Sequence, residues 1–100
     1  LNLFHTNVGD AGVAELLALP NLTALILDDT TVGDEGLKLL CENTQLTRLN
    51  IGNTSVTAQG IEQLATLTSL RILVLGRNTP LRNDQLAKLC EALPECVIYQ

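Results

Sequence analysis

Aromatic residues are almost missing from this chain, which holds one Phe, one Tyr and no Trp, and no Met either. With 46% of its 100 residues hydrophobic, the interior must be filled by aliphatic side chains, chiefly leucine, which is unusual for a globule of single-domain length. A basic cluster is also lacking. Eleven acidic against six basic residues give a net charge of −5, and Lys38, Arg48, Arg71, Arg77, Arg82 and Lys88 are scattered, so the footprint that a nucleic-acid partner requires is absent. Apolar runs such as ILVL at 72–75 fall far short of the roughly 20 residues of a membrane-spanning helix, which predicts a soluble chain with no membrane partner. The three cysteines show neither an even framework nor a CxxC spacing, so reduced thiols in a cytosol-like compartment are expected. There is no GxSxG, P-loop or HExxH spacing, and His5 is the only histidine; the sequence therefore offers no catalytic, cofactor or metal-ligating set. The chain opens at Leu1 without Met, a basic n-region or an h-region, which points to a piece of a longer protein.

What the chain does have is a repeat. Leu1, Leu25, Leu49 and Leu73 fall 24 residues apart, as do Leu3, Leu27, Ile51 and Leu75; further columns are Val8, Val32 and Val56, and Leu16, Leu40 and Leu64. A fixed period of this length is the mark of a solenoid. Within each unit the period changes: Leu25-Ile26-Leu27 alternates as a strand does, whereas Leu37, Leu40 and Cys41 recur at i, i+3 and i+4, one helix face. Strands that return in the same direction after a helical crossover pair in parallel. The expected units are 1–24, 25–48, 49–72 and 73–98, with a terminal strand near 97–100, all in one domain.

Three smaller columns have structural readings. Gly12, Gly36 and Gly60 lie near each helix start, where a side chain would hold the backbone away from the preceding turn. Asp10 and Asp34 sit beside them in the first helical turn, where a carboxylate meets the positive helix end for about 0.3–1 kcal/mol. Thr6, Thr30, Thr54 and Asn78 stand where the chain leaves each strand, and a short polar side chain there can satisfy corner backbone groups in coil after coil. Cys41 and Cys90 share a helix column with Leu17 and Ala65, which predicts core thiols.

These residues resemble the leucine-rich repeat family. Its signature LxxLxLxxNxL is met by Leu22, Leu25, Leu27, Thr30 and Val32, again by Leu46, Leu49, Ile51, Thr54 and Val56, and partly by Leu70, Leu73, Leu75 and Asn78. The second half of each unit is similar to the subclass with helices on the outer face, as in ribonuclease-inhibitor-like and bacterial effector-type repeat proteins. The resemblance implies an α/β fold: a right-handed solenoid of about four coils, with parallel strands on a concave face and helices on a convex face. It further implies a protein partner, no enzymatic activity, and a cytoplasmic setting, or secretion into a host cytosol for an effector. The last unit departs from the pattern. Its helix aligns only with one extra residue near Thr79-Pro80 and another near Glu91, Gln85 stands where glycine stood, and Cys96 replaces the Leu22 and Leu70 column, so a distorted final coil is expected.

Alternation along the strands leaves an outward surface by elimination. Its rows are Asn2, Ile26, Asn50 and Val74; Phe4, Asp28, Gly52 and Gly76; His5, Asp29, Asn53 and Arg77; with Ala24, Arg48 and Ile72 at the strand entrances. Phe4, Ile26, Ile72 and Val74 are apolar where solvent favours polar residues, and such patches mark interaction sites. Asp28-Asp29 could draw a cation or a basic partner, although paired carboxylates at a strand end are usually solvated. The face measures some 300 Å², against about 800 Å² per partner in a standard interface. Either adjacent loops join it, or the units extend a longer array as a scaffold that positions an attached catalytic or effector domain.

Overall fold

In the computed structural model, residues 9–16, 18–19, 21–43, 45–76 and 82–99 are described; the expectations for Leu1, Leu3, Thr6, Val8, Leu17 and Asn78 fall outside them. The described chain runs α1 (Asp10–Leu16), β1 (Ala24–Ile26), α2 (Asp34–Leu40), β2 (Arg48–Asn50), α3 (Ala58–Glu62), a 3-10 turn (Gln63–Thr66), β3 (Ile72–Val74), α4 (Asn83–Ala92) and β4 (Val97–Tyr99). The four strands form one sheet in sequence order, every pair parallel. Leu25, Leu49, Leu73 and Ile98 pair in one row.

The leucine columns are the core. Leu25, Leu27, Val32, Leu40, Ile51, Leu64, Leu73 and Leu75 are fully buried, with Leu49 and Val56 nearly so, and Leu16 packs half-buried against them. Leu37 and Ile61 on the helices close the layer from the other side. Strands of three residues cannot hold a sheet alone, so each coil depends on its neighbours to cover this spine.

The corner hydroxyls act within their own coils. Thr30 Oγ1 donates to the Leu27 carbonyl at 2.6 Å and Thr54 Oγ1 to the Ile51 carbonyl at 2.8 Å, closing the turn that ends each strand. Between coils, at the strand entrances, Thr47 Oγ1 donates to the Thr23 carbonyl at 3.0 Å and Ser69 Oγ to the Leu46 carbonyl at 2.6 Å.

The two aspartates work further away than the helix-end reading places them. Asp10 Oδ1 accepts the backbone N–H of Gly33 at 2.8 Å and of Gly36 at 3.1 Å, so it caps α2, the helix of the next coil. Asp34 repeats the arrangement one coil on: Oδ1 accepts the Thr57 N–H at 2.8 Å and Oδ2 the Thr57 hydroxyl at 2.6 Å, at the start of α3. This clamp explains the glycine column. A Cβ on Gly36 would lie 2.6 Å from Asp10 Oδ1, and one on Gly60 would collide with Asp34 Oδ1.

The last coil differs. Ala58 stands where Asp10 and Asp34 stood and offers no carboxylate; the Arg82 N–H at the start of α4 is taken instead by Oε1 of its own helix's Gln85 at 3.0 Å. α4 is one continuous helix of ten residues, whereas the preceding coil breaks into five α-helical residues and a 3-10 turn in which the Thr66 hydroxyl donates to the Gln63 carbonyl. The sheet absorbs the longer helix by a register step: Val97 pairs with Ile72, so Ile98 faces inward and Val97 and Tyr99 outward, 53% and 55% exposed. Cys96 donates its N–H to the Leu93 carbonyl as Leu70 does to Leu67, as expected from the column it replaces. Cys90 corrects the core-thiol expectation: it is exposed, while Cys41 is half-buried. The physical reason is that Cys41 is covered by the following coil, its Sγ donating to the Gln63 carbonyl at 3.3 Å, whereas no described residue packs over the equivalent face of α4.

Candidate functional site

The outward side chains of the sheet come together at its centre. Ala24, Ile26, Arg48, Asn50, Ile72 and Val74 line a shallow groove of about 220 Å³, floored by the backbone of the buried leucines. Ile26 is exposed and Ile72 and Val74 half-exposed, held outward because Leu25 and Leu73 occupy the interior. Arg48 stands exposed at the entrance end. The groove is therefore apolar along its floor and cationic at one end.

At the other end the polar residues are ordered rather than loose. Asp29 and Asn53 both adopt left-handed backbone, φ 59° and 51°, which Asp and Asn tolerate because their short side chains bond locally. They stack in successive coils, with Asn53 Nδ2 donating to Asp29 Oδ1 at 2.8 Å. Asn50 turns its amide oxygen back to the Gly52 N–H at 3.0 Å, while Asp28 is half-buried beside them. Ile26, Arg48, Asn50, Ile72 and Val74 thus line one groove, with Asp28, Asp29 and Asn53 in the turns that follow the strands; Asn2, Phe4, His5 and Arg77 lie outside the described residues.

The structure also shows a hollow that the repeat pattern did not disclose. Glu62, Ala65, Gln85, Lys88 and Leu89 border a space of about 240 Å³ between the helices of the last two coils, where α4 follows a different course from α3. The only sequence signal for it was the extra residue needed to align that unit.

Titration is perturbed at two thiols. Burial pushes the Cys41 thiol up, opposed by a hydrogen bond with Thr66; burial also raises Cys96, opposed by the Arg71 guanidinium, with Cys90 adding to the rise. Neither is turned toward thiolate chemistry. Among the described residues no group of three or more His, Cys, Asp or Glu is placed to hold a metal ion, and no helix is long and apolar enough to cross a membrane.

The family model described as Leucine Rich repeat matches residues 1–17 and 18–41. No curated protein matches the chain.

Proposed function

Because the chain belongs to the leucine-rich repeat family, whose domains generally mediate protein–protein interaction, we propose that it is a protein-interaction module. Its binding surface is the strand face built on Ile26, Ile72 and Val74 and flanked by Arg48, Asn50, Asn53, Asp28 and Asp29, joined by Asn2, Phe4, His5 and Arg77. The single observation that carries this reading is the groove: three branched aliphatic side chains stand at the surface on one side of the sheet, Ile26 and Val74 flanking Asn50 and Ile72 beside Arg48. We read the whole as a right-handed solenoid of about four coils, since parallel strands joined by helical crossovers are right-handed in almost every known case. The units 1–24, 25–48, 49–72 and 73–98 form one domain, and the modest area of the face favours a longer array in which further coils complete the interface. The module acts without catalysis, in the cytoplasm or, for an effector, in a host cytosol.

Ile26→Asp combined with Val74→Asp tests the reading. Partner capture is expected to disappear while the melting curve stays close to that of the parent, because both side chains lie outside the core. Capture that survives the double substitution would instead assign the chain to scaffolding within its array.

A further inference from the structure

Strands β1 to β4 carry one charged side chain, Arg48 on β2. It stands exposed, and its guanidinium meets no acceptor among the described residues, where the ion pairs join Arg71 to Glu95 and Arg82 to Asp84. Asn50 lies two residues on, about 6.6 Å along the same side of β2, and its amide has a fixed sense. Because the Gly52 N–H donates to the amide oxygen at 3.0 Å, the NH2 group is the free end; it meets no acceptor among the described residues and is not buried. β2 therefore presents two sets of unused donors to the groove and no carboxylate.

The flanks of β2 are apolar on both sides. Toward β1 lie Ala24 and Ile26, the pairing partners of Arg48 and Asn50; toward β3 lie Ile72 and Val74, which pair with the same two residues. The register carries both rows on to β4, where Val97 sits beside Ile72 and Tyr99 beside Val74, each more than half exposed. The groove therefore does not end at β3. It opens onto a wider apolar surface that finishes in a tyrosine, a side chain that commonly anchors interfaces.

We infer that β2 anchors a side-chain carboxylate of the protein partner, an aspartate or glutamate within its chain, between Arg48 and Asn50, while the apolar residues before and after it rest on Ile26 and on Ile72, Val74, Val97 and Tyr99. The inference rests on the strand-face reading above and names the chemistry of its occupant. Charge selects the anchor: a guanidinium pairs with a carboxylate through two parallel N–H donors, and the neutral amide beside it adds a further donor without a competing charge. The two apolar flanks select its source. A chain-terminal carboxylate would leave one flank bare, whereas an internal residue lets the segment continue over both. The net charge of −5 opposes an acidic segment only at long range, where salt at about 0.1 M screens it beyond roughly 10 Å.

Panning a phage-displayed library of random dodecapeptides against the intact chain tests this, with the Ile26→Asp, Val74→Asp double variant as counter-selection. The enriched peptides are expected to share an internal acidic residue with apolar neighbours on both sides. For a synthetic, C-terminally amidated representative, replacing that residue by its amide should weaken binding about tenfold or more by fluorescence polarisation, Arg48→Gln should do the same, and the two changes together should add little, the behaviour of a direct pair. Asn50→Asp keeps an acceptor for the Gly52 N–H but exchanges the free donor for a like charge, so it should weaken the acidic peptide and spare its amide analogue. Tyr99→Ser should weaken both peptides alike. Arg48, Asn50 and Tyr99 all lie outside the core, and the amide analogue reads the anchor without altering the protein at all. Apolar peptides enriched without an acidic residue, or an amide analogue that binds equally well, overturn the carboxylate anchor and leave the groove standing. Indifference to Tyr99→Ser overturns the extension onto β4. No enrichment over the double variant brings down the strand-face reading as well.

Discussion

The middle coils and the last coil solve the same local problem with different atoms. Each helix begins with a backbone N–H that has no partner inside the helix. In α2 and α3 that donor, on Gly33 and Thr57, is taken by a carboxylate from the coil before; in α4 the donor on Arg82 is taken by Gln85 of the same helix. The first solution ties neighbouring coils together and requires glycine at positions 36 and 60. The second caps the helix from within, leaves no crowding carboxylate, and so permits Gln85 in the glycine column. The difference teaches that aspartate and glycine are one device split across two repeats: where the aspartate is lost, the glycine goes with it.

Substitutions at matched positions sharpen the contrast. The largest effect is expected at the shared row of the sheet, where Leu49→Ala should cost about 2–5 kcal/mol in denaturant unfolding through lost burial and a cavity, against a much smaller loss for the half-buried Ile98→Ala. Next is Thr54→Val, which strands the Ile51 carbonyl and should cost about 1–3 kcal/mol; a melting curve identical to the parent's would discredit the corner bond. Removing the caps comes third. Asp34→Ala and Gln85→Ala should each cost about 1 kcal/mol, but only the first should loosen two coils at once, visible as faster amide exchange in α3 as well as α2. The smallest effect is chemical: with single-cysteine variants, Cys41 should alkylate more slowly than Cys90, since one is half-buried with a raised thiol pKa and the other exposed. Because the fold raises the Cys41 pKa, the neutral thiol is favoured, so its contribution to stability is present below the free-thiol pKa of 9.0 and fades as the pH climbs past the folded value.

The strands, the parallel order and the core rows were legible in the sequence because a period of 24 repeats side chains that burial then selects. Ile26, Ile72 and Val74 were legible as a surface for the same reason, by elimination. The reach of Asp10 and Asp34 was not, since a carboxylate in a first turn has the same local signature whether it serves its own helix or the next. Nor was the exposure of Cys90: its column matches Cys41, and only the packing of neighbouring coils distinguishes the two. The inward turn of Ile98 escaped because a strict period of 24 carries the Leu73 column to Val97, whereas β4 pairs one whole residue later, with Ile98 opposite Leu73.

The coupling between coils is tested most directly by a double-mutant cycle on Asp34 and Gly60, read by chemical denaturation. In the parent, Gly60→Ala forces a methyl against the Asp34 carboxylate and should cost about 1–3 kcal/mol. In an Asp34→Ala background the carboxylate is gone and alanine's better helix propensity is released, so the same change should cost at least about 1 kcal/mol less. Equal losses in the two backgrounds would mean that aspartate and glycine act independently, and the clamp joining successive coils would have to be abandoned.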